Sequence, residues 1–242
     1  MDKNVADMSK EYLKVDLHTH TADDPKEKIQ YTSRELIDKA HRLGFDAISI
    51  TNHEAISNGE YLRDYARERD IVLIPGGELR IRGKHVLAVN AHQELLNART
   101  FRDLRRLRTP ENLIVAPHPY FPDSSSLLWR VGKNIDLFDA LEFSWFFHSY
   151  INFNMFAIRT AVRHGIPLVC TSDCHHLTTF GSAYSLVDAE KDAVAIVEAI
   201  KAGRVEIAAN PLNLLDFGKV GVRHVYDNTV GAVLGLLAGD TR

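Results

Sequence analysis

The sequence predicts an α/β fold in which a parallel sheet closes into a barrel. Apolar strand-like runs and amphipathic helical stretches alternate about seven times along the chain. No linker or low-complexity segment interrupts them. Residues able to bind metals recur where the strands end, the position that carries the chemistry in such barrels. At 242 residues the chain can bury a sizeable core within one domain.

The first strand is read from Leu13, Val15 and Leu17, whose period-two spacing marks a half-buried strand. It ends in His18-Thr19-His20. After a polar loop, Thr32-Ser33-Arg34-Glu35 has the form of a capping box. The helix it opens carries Leu36, Ile37, Ala40 and Leu43 on one face and stops at Gly44. His41, in its last turn, suits the negative end of the helix dipole. Residues 47–53 form a second strand ending in His53, and residues 60–70 a charged helix. Residues 71–78 are nearly all apolar, as in a strand covered on both faces, and end in Glu78.

A hairpin-like return through Arg82-Gly83-Lys84 leads to a strand at residues 85–89, and residues 100–108 form a basic helix. Residues 113–119 are a strand that fixes His118 between Pro117 and Pro119. Residues 140–144 are another. The helix after it is read with Ile151, Met155, Ile158 and Val162 inward and a stop at His164-Gly165. Residues 167–175 form a strand ending in Asp173 and His175. A last helix turns Ala193, Ile196, Val197 and Ile200 inward and stops at Gly203, and residues 205–208 close the array.

Composition bounds the function. With 29 Lys and Arg against 32 Asp and Glu, no global positive field attracts nucleic acid or an anionic membrane. The two cysteines, Cys170 and Cys174, build no disulfide framework and fit a reducing cytosol, so the expected location is cytoplasmic. Residues 1–12 are charged and lack the apolar centre of a signal peptide. The longest apolar run, residues 229–238, falls well short of the roughly 20 residues of a membrane helix. It reads as a terminal helix packing on the body or on a second copy of the chain. The expected layout is an extension at 1–12, the barrel at 13–209 and a C-terminal extension at 210–242.

The 12 histidines are the compositional outlier. His18, His20, His53, Glu78, His118, Asp173 and His175 all fall at predicted strand ends, and imidazole with carboxylate suits zinc, manganese or iron. That many donors exceed the roughly three protein ligands of one catalytic ion, which points to two or three ions sharing carboxylates. Cys174 reads as a small buried residue, because no base accompanies it as a nucleophile would require.

In order, His18-Thr19-His20, Thr51-Asn52-His53, Gly77-Glu78, His85, Pro117-His118-Pro119 and Ser172-Asp173-Cys174-His175 resemble the successive motifs of the polymerase and histidinol phosphatase (PHP) superfamily, across residues 15–207. The resemblance implies a distorted (β/α)7 TIM-like barrel and a metal-dependent phosphoric ester hydrolase. It also implies two or three divalent ions, with magnesium admissible beside zinc, manganese and iron. One ion would take His18, His20, Glu78 and Asp173, and a second Glu78, His85 and His118. A third would take an acid after His20 with His53 and His175. Three positions depart from the pattern. Asn52 replaces the usual Asp and supplies no charge to orient His53. Asp23-Asp24-Pro25 offers two candidates for the loop acid, with Asp24 favoured, and His92 rivals His85.

The expected reaction is hydrolysis of a phosphomonoester or small phosphodiester by water activated between the ions, with Glu78 and Asp173 at the catalytic centre. Arg80, Lys84 and Arg130 are candidates to bind the phosphoryl oxygens, arginine being better suited than lysine. His148, in the aromatic segment 144–148, either protonates the leaving oxygen or binds substrate, or else is a buried, hydrogen-bonded core histidine. The expected partner is a small phosphorylated substrate, with no membrane and with homo-oligomerisation through the C-terminal segment as an option. Alternative readings are a metal-dependent 3'-5' exonuclease or nucleotidase using the basic run 99–108, amide or lactone hydrolysis, and a non-catalytic metal-binding regulatory domain.

Overall fold

The computed structural model describes residues 12–222. Its centre is a nine-stranded sheet built from β1 (Leu13–Thr19), β2 (Ala47–Ile50), β3 (Val72–Ile81), β4 (Lys84–Val89), β5 (Leu113–Ala116), β6 (Ala140–Ser144), β7 (Leu168–Thr171), β8 (Ala183–Val187) and β9 (Val205–Ala209). The spatial order is β7-β6-β5-β4-β3-β2-β1-β8-β9, and β7 packs beside β9 to bring the two edges together, so the sheet is nearly a closed barrel. The helices of the unit that holds this sheet are α1 (Ser33–Arg42), α2 (Glu60–Arg67), α3 (Phe101–Leu107), α4 (Arg130–Lys133), α5 (Asn154–His164) and α6 (Ala193–Lys201).

The sheet is mixed where the sequence predicts it parallel, apart from the hairpin-like return at residues 82–84, which is present. β4 runs antiparallel to both β3 and β5, and β8 antiparallel to both β1 and β9. A parallel crossover needs a dozen or more residues, whereas only Arg82 and Gly83 separate β3 from β4. Both have positive φ, 50° and 75°, the geometry of a tight two-residue hairpin turn. β8 had no counterpart in the sequence reading, because residues 176–190 lack a sustained alternation.

Local signals hold closely elsewhere. Thr32 and Glu35 form the reciprocal capping box of α1, and Gly44 follows with φ 66°. Thr100 and Asp103 cap α3 in the same way. His41 differs: its Nδ1 lies 2.8 Å from the carbonyl oxygen of Arg69, so it meets the end of α2 rather than its own helix. β1 also departs from the half-buried strand expected. Leu13, Val15 and Leu17 share one apolar cluster, but Asp16 and His18 are equally buried, so the alternation separates an apolar from a buried polar environment.

The inward face of α5 is a correction. Asn154, Ala157 and Ala161 are buried, while Met155 and Val162 are 44% and 80% exposed. Small side chains let the helix approach β6, and periodicity counted from the large ones alone selects the wrong face.

Residues 146–152 and 211–222 belong to a separate compact unit. Within it Phe146 stacks on Phe217 at 4.5 Å between ring centres, and the Leu212 N–H donates to the Phe147 carbonyl at 2.8 Å. Residues 229–238, expected to form a terminal helix, lie outside the described residues.

Candidate metal centre

Every strand-end residue singled out in the sequence comes from one rim of the sheet. His18 and His20 close β1, and His53 follows β2 and bridges to Glu78 in β3. His85 opens β4 at that same rim, because β4 runs the other way. His118 follows β5, while Asp173 and His175 follow β7. His118 and Asp173 hold positive φ of 29° and 44°, conformations costing about 1–3 kcal/mol each that cluster at functional sites.

Glu78 is the hub. His85 Nδ1, His18 Nε2 and His118 Nε2 lie 2.8, 3.6 and 3.7 Å from its Oε1. His53 Nε2 and His20 Nε2 lie 3.1 and 3.5 Å from its Oε2. Asp173 Oδ1 stands 3.2 Å from His18 Nε2 and 3.6 Å from His20 Nε2. Glu78 occupies its place because two glycines precede it. A Cβ on Gly76 would lie 2.2 Å from Ser49 Oγ, and one on Gly77 would lie 2.8 Å from a Leu96 methyl carbon.

Three groupings could each hold a cation: His18, His20 and Asp173; His20, His53 and Glu78; Glu78, His85 and His118. The third coincides with one ligand set that the resemblance implies, and the first holds three of the four residues of another, without Glu78. The third implied set is not gathered among the described residues. Asp24 faces His20 and His53, whereas His175 Nε2 pairs with Glu27 at 3.1 Å and its Nδ1 lies 3.4 Å from Asp173. Of the two loop acids, Asp24 turns in and Asp23 accepts a hydrogen bond from Ser33 Oγ at 2.6 Å. His85 enters the cluster, and His92 belongs to none of the three groupings.

Asp24 also answers the departure at Asn52. Its Oδ2 lies 2.8 Å from His53 Nδ1 and 3.0 Å from His20 Nδ1, aiming both Nε2 atoms at Glu78. Asn52 instead braces the loop, accepting from the Thr21 N–H at 2.9 Å and donating to Ser57 Oγ at 2.8 Å. Glu142 and Glu27 are participants the sequence reading missed. The signal for Glu142 was a lone acid inside the apolar strand 140–144; Glu27 sits in a charged loop and had none.

Charge and burial are in tension throughout. Burial pushes Glu78 up, yet the His85 and His18 imidazoles outweigh it and hold the carboxyl well below its usual range. Asp173 behaves alike: burial is overcome by His18 and His175. Burial pulls the imidazoles down, but facing carboxylates raise His53 to about 10, His118 to about 9 and His175 to about 9. Asp16, beneath the cluster, is raised to about 7 by burial against weaker hydrogen bonds from Ser172 and His18. Cys174 is likewise pushed up, to about 11, by burial, which leaves it a poor nucleophile.

The donor chemistry fits divalent metal. Glu78 Oε1 is buried and accepts no hydrogen bond although three imidazole nitrogens face it, and buried His85 Nε2 also lacks a partner. Nitrogen and oxygen donors crowded around an unsatisfied carboxylate suit cations that share it.

The other candidates have contacts of their own. Arg80 is exposed, directly opposite His85 in the β3–β4 ladder. Lys84 Nζ donates to the Ser124 carbonyl at 2.5 Å, and the Arg130 guanidinium lies 4.9 Å from the Trp129 ring centre. His148 belongs to the second unit, where its Nδ1 accepts the Tyr150 N–H at 3.2 Å and its ring is 5.9 Å from that of Phe217.

A family model described as PHP-associated matches residues 152–205. No curated protein matches the chain by sequence. Among solved structures the fold is similar to PsfC from Pseudomonas syringae, at 16% identity and TM-score 0.63, covering 90% of this chain and 99% of that one. It is also similar to a candidate metal-dependent phosphoesterase from Bifidobacterium adolescentis, at 16% identity and TM-score 0.52, covering 84% and 98%. A third is the lesion-specific endonuclease PfuEndoQ from Pyrococcus furiosus, at 14% identity and TM-score 0.57, covering 87% and 66%.

Proposed function

We propose that this chain, a PHP superfamily member by its PHP-associated match and motif order, is a metal-dependent hydrolase of a phosphomonoester or small phosphodiester. The observation that carries the reading is Glu78, a buried carboxylate faced by five imidazoles from four strands and left with one oxygen unsatisfied. Divalent ions bound there would supply positive charge for the phosphoryl oxygens and lower the pKa of attacking water.

The chain's own residues set the geometry. His18, His20, Asp173 and Glu78 would hold one ion, and Glu78, His85 and His118 a second, with Glu78 shared. Asp24 keeps the Nε2 atoms of His20 and His53 aimed inward. Arg80, which makes no ion pair among the described residues, stands in register with His85 and would clamp phosphoryl oxygens there.

A small substrate is favoured over a polynucleotide because the basic run 99–108 is largely neutralised. Arg99 pairs with Glu54 at 3.4 Å, Arg105 with Asp136 at 2.6 Å, Arg106 with Asp103 at 3.9 Å and Arg108 with Asp139 at 2.7 Å. The test is hydrolysis of a generic phosphomonoester, a diester and single-stranded DNA with manganese or zinc, before and after chelation. Chelation-sensitive cleavage of the small esters supports the reading; cleavage of DNA alone favours the nuclease.

A further inference from the structure

We infer that Glu142 is a positioning residue that locks the two halves of the metal centre to each other. The inference rests on the proposed metal-dependent reading and concerns a residue outside the three cation-holding groups. Glu142 is fully buried in β6. Its Oε1 lies 3.0 Å from His18 Nδ1 and also accepts the hydroxyl of Thr171, while its Oε2 accepts the backbone N–H of His118.

These contacts span three strand ends. A hydrogen on His18 Nδ1 donated to Glu142 leaves the His18 Nε2 lone pair facing Asp173 at 3.2 Å and Glu78 at 3.6 Å. The second oxygen holds the backbone N–H of His118, a residue at φ 29° between two prolines whose carbonyl accepts from Ser126 Oγ at 2.9 Å. His118 Nδ1 is meanwhile held 3.1 Å from Ser126 Oγ. Glu142 thus sets the tautomer of a donor in one half and the backbone of a donor in the other. Thr171 anchors the carboxylate that does both.

The test titrates the full chain with manganese, reading ions per chain and the dissociation constant of each, beside a melt of the metal-free protein. In Glu142→Gln an amide replaces the carboxylate and cannot accept both bonds alike. The ion count is expected to hold while both affinities fall together, by about 10–100-fold. His85→Ala is the contrast: it should weaken the Glu78, His85 and His118 half and spare the other. If Glu142→Gln fails to fold, Thr171→Val serves, with a smaller loss that again falls on both halves. Unchanged affinities in a folded Glu142→Gln, or a loss confined to one half, overturn the inference. A wild-type chain that binds no manganese overturns the metal-dependent reading itself.

Discussion

His53 and Glu78 face each other as a parallel bridge between neighbouring strand ends, with His53 Nε2 3.1 Å from Glu78 Oε2. The same imidazole gives its other nitrogen to Asp24 at 2.8 Å. A histidine fixed on one side by a carboxylate and presented on the other to a shared carboxylate is built to hold a cation, since its ring can neither turn nor change tautomer freely.

Removing the hub should therefore remove the chemistry. Glu78→Ala is expected to lose bound metal and to lower kcat/KM for a phosphate ester by at least about 100-fold, because the donors of both halves lose their common oxygen. Activity assay and metal analysis on the same preparation check this. An unchanged rate in a metal-free Glu78→Ala preparation would rule the mechanism out.

The metal-free protein should be less stable in alkali. His53, His118 and His175 are raised in the folded chain to about 10, 9 and 9 from 6.5, so the stability they contribute is complete below about pH 6.5 and is lost as pH rises through those values. Glu78 and Asp173 are depressed, so theirs is present above their ordinary range and lost as pH falls. Cations replace protons on the imidazoles, and the loaded protein should gain on the free one as pH rises. Melting curves from pH 5 to 9, with and without manganese, should diverge upward. A metal-free Tm that climbs across pH 6.5 to 9 would contradict the assignment.

Arg80→Ala should raise KM or lower kcat/KM by about 10-fold or more while leaving the ion count unchanged, and Arg80→Lys should restore only part, because lysine lacks the bidentate fork. Steady-state kinetics separate the outcomes. Wild-type kinetics in Arg80→Ala would move phosphate binding to another cation.

The face of α5 makes a stability prediction. Ala161→Leu overpacks the helix against the apolar cluster it joins and should cost about 1–3 kcal/mol, whereas Val162→Ala, at a position 80% exposed, should cost under about 0.5 kcal/mol. Urea unfolding measures both. The reverse order would restore the face that periodicity selects.

Much of this was legible in the chain. The Thr32 and Glu35 cap, Gly44, the strand-end histidines and the Gly76-Gly77-Glu78 step are short-range signals with short-range causes, and the structure places them accordingly. Whatever depends on partners distant in sequence was not. The direction of β8 follows from its pairing with β1, and the small-residue face of α5 from its approach to β6. The regrouping of Asp24 with His20 and His53, and of Glu27 with His175, is set by how one loop folds back. Glu142 is the sharpest case: one acid in an apolar strand announces only that it must be satisfied, and the fold alone reveals by what.

The most direct measurement is elemental analysis of the full-length protein, loaded with manganese or zinc and then freed of unbound ions. At least two ions per chain are predicted, falling in Glu78→Ala. A loaded wild-type preparation that retains none would contradict the account.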